Sequence, residues 1–391
     1  MTAASTQPVL IIGAGPIGLA AALRLSAQGH AVRILDARRA DAAQHDARVL
    51  ALSHGSRQLL EALGAWPAAA ATPIETIHIS QRGAFGRTEL RQAEYGLPAL
   101  GYVIPATALV SKMSQRIAAQ GLQIEFDARV ESLAAAPEQI SLSLRNNAGE
   151  MRNVCGSLAV CCEGQITPAA SEGRTNDSIV SRDYDQHALL LRVTPVHPHR
   201  NLARERFTPD GPIALLPLGN DYAVVWTVSP DQLAALNALS DETLLVRLHA
   251  AFGGNVKFAN LRDRNSYPLV MRLRRATVSA RTVWLGNAAQ TLHPVAGQGF
   301  NLGLRDVWDL AETLRACADP GAADVLARHA RSRRADRWGT AGFTDGLVRL
   351  FSNDNPLLSH ARGAGLLALD MLPPLRHFVA KRMMFGARAW P

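Results

Sequence analysis

Cysteine is scarce in this chain, and the little there is does not cluster. Cys155, Cys161, Cys162 and Cys317 form no Cys-x-x-Cys pair and have no histidine group at ligand spacing, which argues against a zinc site, an iron–sulfur cluster or a disulfide framework. Vicinal Cys161 and Cys162, in LAVCCEG, read as small buried strand residues. No apolar run reaches the roughly 18 residues of a membrane span. The opening MTAASTQP has neither the basic region nor the apolar core of a secretion signal, so the expected location is cytoplasmic. Aromatics are only 5% of the residues and do not alternate with the basic ones, which speaks against nucleic acid as a partner despite a net charge of +8. That charge leaves an anionic cofactor or an anionic membrane surface to consider. Its densest runs are RHARSRRADR (328–337) and RLRRATVSAR (272–281). The first reads as a solvated basic helix face or a docking surface.

What is present is the composition of a globular protein: 48% hydrophobic and 19% charged over 391 residues, enough for two domains. There are no internal repeats and no low-complexity linker. PVLII, GAGPIG, LAAALRLSAQ and AVRILD read in turn as strand, turn, helix and strand, the opening of a doubly wound α/β nucleotide-binding fold. Helices are expected at SHGSRQLLEALGA and ALVSKMSQRIAA, and strands in QIEFDARVESL. From about 183 to 270, HALLLRVT, RERFT, GPIALLPL and DYAVVWTVS alternate apolar with polar residues between Pro, Gly and Asp turn signals, which predicts a mostly antiparallel sheet with a helix at SDETLLVRLHAAF. TVWLG returns to the first fold, and beyond about 322 the pattern is helical, broken at Pro356 and at Pro373-Pro374. The expected organisation is a discontinuous nucleotide domain (1–75, 98–182 and 270–345), an inserted sheet domain (76–97 and 183–269) and a C-terminal helical segment (346–391).

Gly13, Gly15 and Gly18 form a Gly-x-Gly-x-x-Gly turn after a strand and at the start of a helix. Gly13 permits the tight turn, Gly15 lets a pyrophosphate approach the backbone, and Gly18 lets helix and strand pack closely. Asp36 ends the second strand, where a carboxylate accepts hydrogen bonds from ribose hydroxyls. FAD and NAD both satisfy this loop. A second glycine-rich segment, GNAAQTLHPVAGQGFNLGLRD (286–306), leads into a helix whose Phe300, Leu304, Val307, Ala311 and Leu314 share one face. The helix N-terminus near Gly299 offers free N–H groups and the positive dipole end to negative charge, and Gly297 and Gly299 permit a flat ring to approach.

This second segment resembles the flavin motif of the para-hydroxybenzoate hydroxylase-like monooxygenases. Extended to GNAAQTLHPVAGQGFNLGLRDVWDLAETL, it is similar to the ubiquinone-biosynthesis hydroxylases, in particular their 2-octaprenyl-6-methoxyphenol hydroxylase group. The likeness continues in DARVLALSHGSRQLLEALGAW (46–66), RERFTPDGPIALLPL (204–218) and TDGLVRLFSN (344–353). It implies a Rossmann-like FAD-binding domain with an inserted antiparallel sheet and C-terminal helices. It also implies FAD contacts at Gly286, Asn287, Pro294, Gly297, Gly299, Asn301 and Leu302, with Arg48 as a further cofactor-contacting residue. Two positions depart from the wider pattern. The middle motif, usually Asp-Gly followed by Ser and Arg, is CCEGQITPAASEGR, with Glu163 before Gly164, which bears on the electron donor. Asn287 stands where most of the superfamily has Asp.

The activity implied is hydroxylation of a polyprenylated phenol in ubiquinone biosynthesis through a flavin hydroperoxide, with O2 as co-substrate, NADH or NADPH as electron donor, and the ring held around residues 205–226. Peripheral contact with the inner face of the membrane, or with biosynthetic partners, would suit such a substrate. No residue identifies itself as a substrate base; His293, beside Pro294, is a candidate for proton transfer or for packing in the flavin loop. Two alternatives stay open: a hydroxylase of a small soluble aromatic acid, and a non-catalytic flavin-binding scaffold.

Overall fold

Val9–Ile12 reads VLII without a polar position, as a strand buried on both faces must. It pairs in parallel with Val32–Leu35 on one side and Leu158–Cys161 on the other. The resulting six-stranded sheet runs in the order 278–279, 282–284, 158–161, 9–12, 32–35, 124–125. Alternate side chains serve two different layers. Val9, Ile11, Leu158 and Val160 pack on helices through Leu19, Leu23, Leu304 and Val307. Leu10, Ile12, Ala159 and Cys161 pack on an antiparallel meander of Arg129–Ala135, Ile140–Arg145 and Met151–Gly156 through Leu142 and Val154. The chain is described by a computed structural model over residues 7–40, 46, 48–83, 85–164, 179–253, 256–351 and 356–386, without the side chains of 356–359 and 361.

The second layer system is an eight-stranded sheet in the order 290–291, 258–274, 179–195, 221–228, 211–218, 202–208, 76–81, 87–91. Its pairs are antiparallel except where Leu202–Thr208 lies parallel to Thr76–Gln81. One face is closed by the helices Pro230–Asn237 and Asp241–Phe252, which bury Leu236, Leu244, Leu248 and Phe252 against Leu189, Ile213, Leu215 and Val224. Both helices start on a serine cap, Ser229 and Ser240, whose hydroxyl accepts a backbone N–H three residues on. The opposite face meets a small sheet of Val49–Ser53, Gly101–Pro105 and Thr72–Ile74, and the second glycine loop.

The architecture is therefore a Rossmann-like α/β domain with an inserted antiparallel sheet and C-terminal helices, as the sequence predicts. The expected boundaries move. Residues 179–182 and 270–274 belong to the large sheet, because Ile179–Pro195 and Phe258–Arg274 pair along nearly their whole lengths. No break separates 345 from 346, since Ala323–Phe351 is one helix held along its length by a buried face. The helix at Pro230–Asn237 was not expected; its signal is the capping box between Ser229 and Gln232.

Candidate functional site

Strand Val9–Ile12 lies between Val32–Leu35 and Leu158–Cys161, and the crevice at its carboxyl end opens into a cavity of about 550 Å³. Gly13, Gly15, Asp36 and Arg48 reach its wall from one side, and Gly286, Asn287, Gly299 and Phe300 from the other. Two segments more than 250 residues apart thus meet at one site. Glu163 and Gly164 also line it, while the rest of that middle motif, 165–178, lies outside the described residues.

The first loop is set by close packing. A Cβ on Gly18 would overlap the carbonyl oxygen of Gly13. Gly13 itself has φ +102°, a conformation that L side chains rarely adopt. Gly15 differs: its Cβ direction is open space, and it caps the helix Pro16–Ser26, so an approaching phosphate would meet bare backbone at the positive end of the helix. Asp36, 3% exposed, accepts from the Ala14 N–H at 2.6 Å. Burial alone would raise its carboxyl, but hydrogen bonds from the Arg38 side chain and from the Arg38 and Ala14 N–H groups outweigh that and hold it below the usual range. Sequence reasoning missed Arg38, which fills the acceptor sites expected to meet a ribose. Its side chain remains 47% exposed. Arg48 repeats the arrangement, donating from Nε and Nη2 to Asp46 at 2.8 and 2.6 Å.

The second loop is set by internal bonds. Asn301 accepts from the Ser53 N–H and the Ser56 hydroxyl, and donates to the Ala51 and Gly297 carbonyls. It is a latch between the helix Gln298–Leu314 and strand Val49–Ser53, and its polar capacity is spent. Leu302 is fully buried in the helix interior. Of the expected contact residues, Asn301, Leu302, Pro294 and Gly297 lie outside the cavity lining and shape the loop, with Ala296 and Gly297 taking successive left-handed conformations at φ 62° and 60°. Gly18 likewise stays behind the wall. Gly286, Asn287 and Gly299 are the expected residues of this segment that reach it, and Asn287 is exposed there on the short turn Gly286–Ala288.

His293 is 1% exposed. Its Nδ1 accepts from the Val295 N–H, which puts the ring proton on Nε2, and its ring stands edge-on to Tyr184 at 5.3 Å. Burial pushes it down to about 4, so it is neutral at pH 7. It does not line the cavity, and its buried Nε2 has no hydrogen-bond partner among the described residues.

The basic run 328–337 is only partly solvated. Arg333 and Arg337 turn inward, where Arg333 binds Asp306 and Asp336, each at 2.6 Å, and Arg337 donates to Gln290 at 2.7 Å. Gln290 in turn donates to Asp306 at 2.6 Å, and Arg305 pairs with Asp336 at 2.8 Å. Burial opposes ionisation of Asp336, but the two guanidinium groups outweigh it and bring the carboxyl down to about 2. This buried network fastens the helix carrying Gly299 to the long helix Ala323–Phe351. Cys161 and Cys162 are buried as expected, and among the described residues no group of His, Cys, Asp and Glu could hold a metal.

The family model described as FAD binding domain matches residues 6–343. The ubiquinone hydroxylase UbiL of Rhodospirillum rubrum is 32% identical over 98% of this chain and 90% of its own. The 3-demethoxyubiquinol 3-hydroxylase of Escherichia coli is 29% identical over 96% of this chain and 98% of its own. Among solved structures, HpxO of Klebsiella pneumoniae, complexed with FAD, superposes with a TM-score of 0.76 at 15% identity, covering 98% of this chain and 100% of that one.

Proposed function

Because the chain belongs to the FAD-dependent hydroxylase family of ubiquinone biosynthesis, and is therefore an FAD-dependent aromatic-ring monooxygenase, we propose that its substrate is a polyprenylated phenol and its electron donor NADH or NADPH. The observation that carries this reading is the inner face of the large sheet. Around Glu205 on this face lie the half-buried Ile77, Ile79, Ala214, Leu216 and Val225, a largely apolar wall suited to an isoprenoid-bearing ring. A small aromatic acid would want a cation there for its carboxylate.

The residues at the cavity fit FAD. The backbone at Gly15 and the helix behind it would take the pyrophosphate, and Asp36 the ribose once Arg38 swings out. Arg48, Gly286 and Asn287 would hold the polar middle of the cofactor. The N-terminus at Gly299 would lie against the ring system, where its N–H groups favour negative charge on the reduced form. Bound FAD supplies the oxygen chemistry; the chain's part is to orient the phenol and exclude water. On the C-terminal helices, exposed Met371, Leu372, Leu375 and Phe378 beside Lys381 form a surface suited to resting on a membrane interface, the place where an isoprenoid substrate resides.

The test uses purified protein: its flavin spectrum, then NADH and NADPH oxidation with and without a prenylated methoxyphenol. The reading expects a yellow protein whose oxidation of one nicotinamide is stimulated by that phenol with formation of a hydroxylated product. Stimulation by small aromatic acids alone would overturn it.

A further inference from the structure

Strand Leu202–Thr208 carries LARERFT, in which Arg204, Glu205 and Arg206 look like three solvated charges. The pairing separates them. Ala203, Glu205 and Phe207 share one face, and Arg204 and Arg206 share the other with Leu215 and Ile213. On the first face Ala203 packs with Val49 and Val103, while Phe207 packs with Val295 and stacks on Phe351 at 3.7 Å. Glu205 therefore stands between two clusters, one anchored in the strand that continues to Leu50 at the cavity wall, the other in the loop that leads to Gly299. Its partners across the sheet, Ala214 and Ile79, are apolar.

Glu205 is half-buried on this face, flanked by apolar side chains. Among the described residues no hydrogen-bond donor and no cation meets its carboxyl. An unpaired carboxyl among apolar neighbours is costly to keep, and such groups collect where chemistry needs them. Resting on the reading of the substrate as a polyprenylated phenol, we propose that Glu205 is a catalytic residue that accepts the hydrogen bond of the substrate's ring hydroxyl and takes its proton. The phenolic O–H bond breaks, its electron pair stays on oxygen and enriches the ring, and the proton forms an O–H bond to the Glu205 carboxylate. After the ring carbon has gained its new oxygen, that carbon releases its hydrogen as a proton to water, and Glu205 returns its proton to the phenolic oxygen.

Burial pushes the Glu205 carboxyl up to about 7, where it can both take and return a proton near neutrality. Charged groups on the elements packed against this face are committed elsewhere: Arg48 to Asp46, Tyr184 and Arg182 to Asp345, and Arg362 to the carbonyls of Leu350 and Phe351. His293 is neutral there, and none of these groups contributes to the rise at Glu205.

The experiment compares FAD-loaded wild type with Glu205→Gln, FAD content and flavin spectrum serving as the check on folding. Turnover of a prenylated methoxyphenol should rise through about pH 7 in wild type; Glu205→Gln should lose that limb and fall by roughly 100-fold or more. A second measurement needs no turnover and no variant. Binding of the same phenol to oxidised wild type should tighten about 10-fold from about pH 6 to about pH 8, as the ionised carboxylate becomes the acceptor. Equal rates and equal pH profiles in an active wild type and Glu205→Gln, or phenol binding that is flat across this range, overturn the role of Glu205 and leave the substrate reading standing. A wild type that hydroxylates no prenylated phenol removes both.

Discussion

The two glycine loops look alike in sequence and are built differently. In the first, residues 13–18, shape comes from contact: Gly18 lies directly against the Gly13 carbonyl, Gly13 against Cys162, and the residue facing the cavity, Gly15, touches nothing. In the second, residues 286–302, shape comes from polar bonds behind the loop, with Asn301 tying it to strand Val49–Ser53 and Asp306 tying its helix to Arg333. A short loop that only turns and opens can be specified by missing side chains. A long loop that must hold a helix end at a set height over a cavity also needs side chains that grip from beneath.

That contrast can be broken at several points. The largest effect is expected at the buried network. Arg333→Met leaves Asp306 and Asp336 facing each other without their shared cation, at a cost of about 3 to 5 kcal/mol, read as a lower urea midpoint whether or not FAD is present. An unchanged midpoint would mean that the network does not carry the second loop. Next come two glycines of the first loop. Gly18→Ala should cost the apoprotein about 3 kcal/mol, since the clashing neighbour is backbone and overpacking is the mechanism. Gly15→Ala should leave apoprotein stability unchanged and weaken FAD binding. Equal melting losses in the two would erase the distinction between a packing glycine and a facing one.

His293→Asn probes the second loop through pH. The folded-state value of about 4 lies below the ordinary 6.5, so the unfolded chain binds the proton more readily and stability is lost as pH falls from 6.5 towards 4. The loss reaches about 2 kcal/mol at pH 5. Asn keeps an acceptor for the Val295 N–H but does not titrate, so the variant's stability should change less between pH 7 and pH 5 by about that amount; parallel curves would contradict a buried neutral histidine. The smallest effect belongs to Asn287→Asp, which should retain FAD with at most a few-fold weaker binding, since it keeps the acceptor and loses the amide donors while adding a charge.

Much of the fold was legible because its signals are local. VLII, the glycine turn and the alternation from 183 to 270 each declare an element, and the layers follow from which faces are apolar. Position was legible where a residue type has one physical use: Gly13, Gly15 and Asp36 line the cavity, and Gly18 packs behind it. It was less so at Asn301 and Leu302, where membership of a motif says that a residue matters but not whether it faces the ligand or the core. Arg38 was missed because its pairing depends on the chain bending back so that residue 38 meets the carboxylate of residue 36. Glu205 was missed because its meaning depends on strand register: within RERFT only the cross-strand partners reveal that the carboxyl shares a face with Ala203 and Phe207 rather than with its charged neighbours.

The most direct test of the central claim, that both loops hold one FAD, is a titration of FAD into stripped wild type, Gly15→Val and Asn287→Leu. The account predicts that Gly15→Val binds little FAD, and that Asn287→Leu binds roughly 10- to 100-fold more weakly than wild type, having lost hydrogen bonds of about 1 to 3 kcal/mol. Wild-type affinity in either folded variant would contradict it, by showing that the loop concerned does not meet the cofactor.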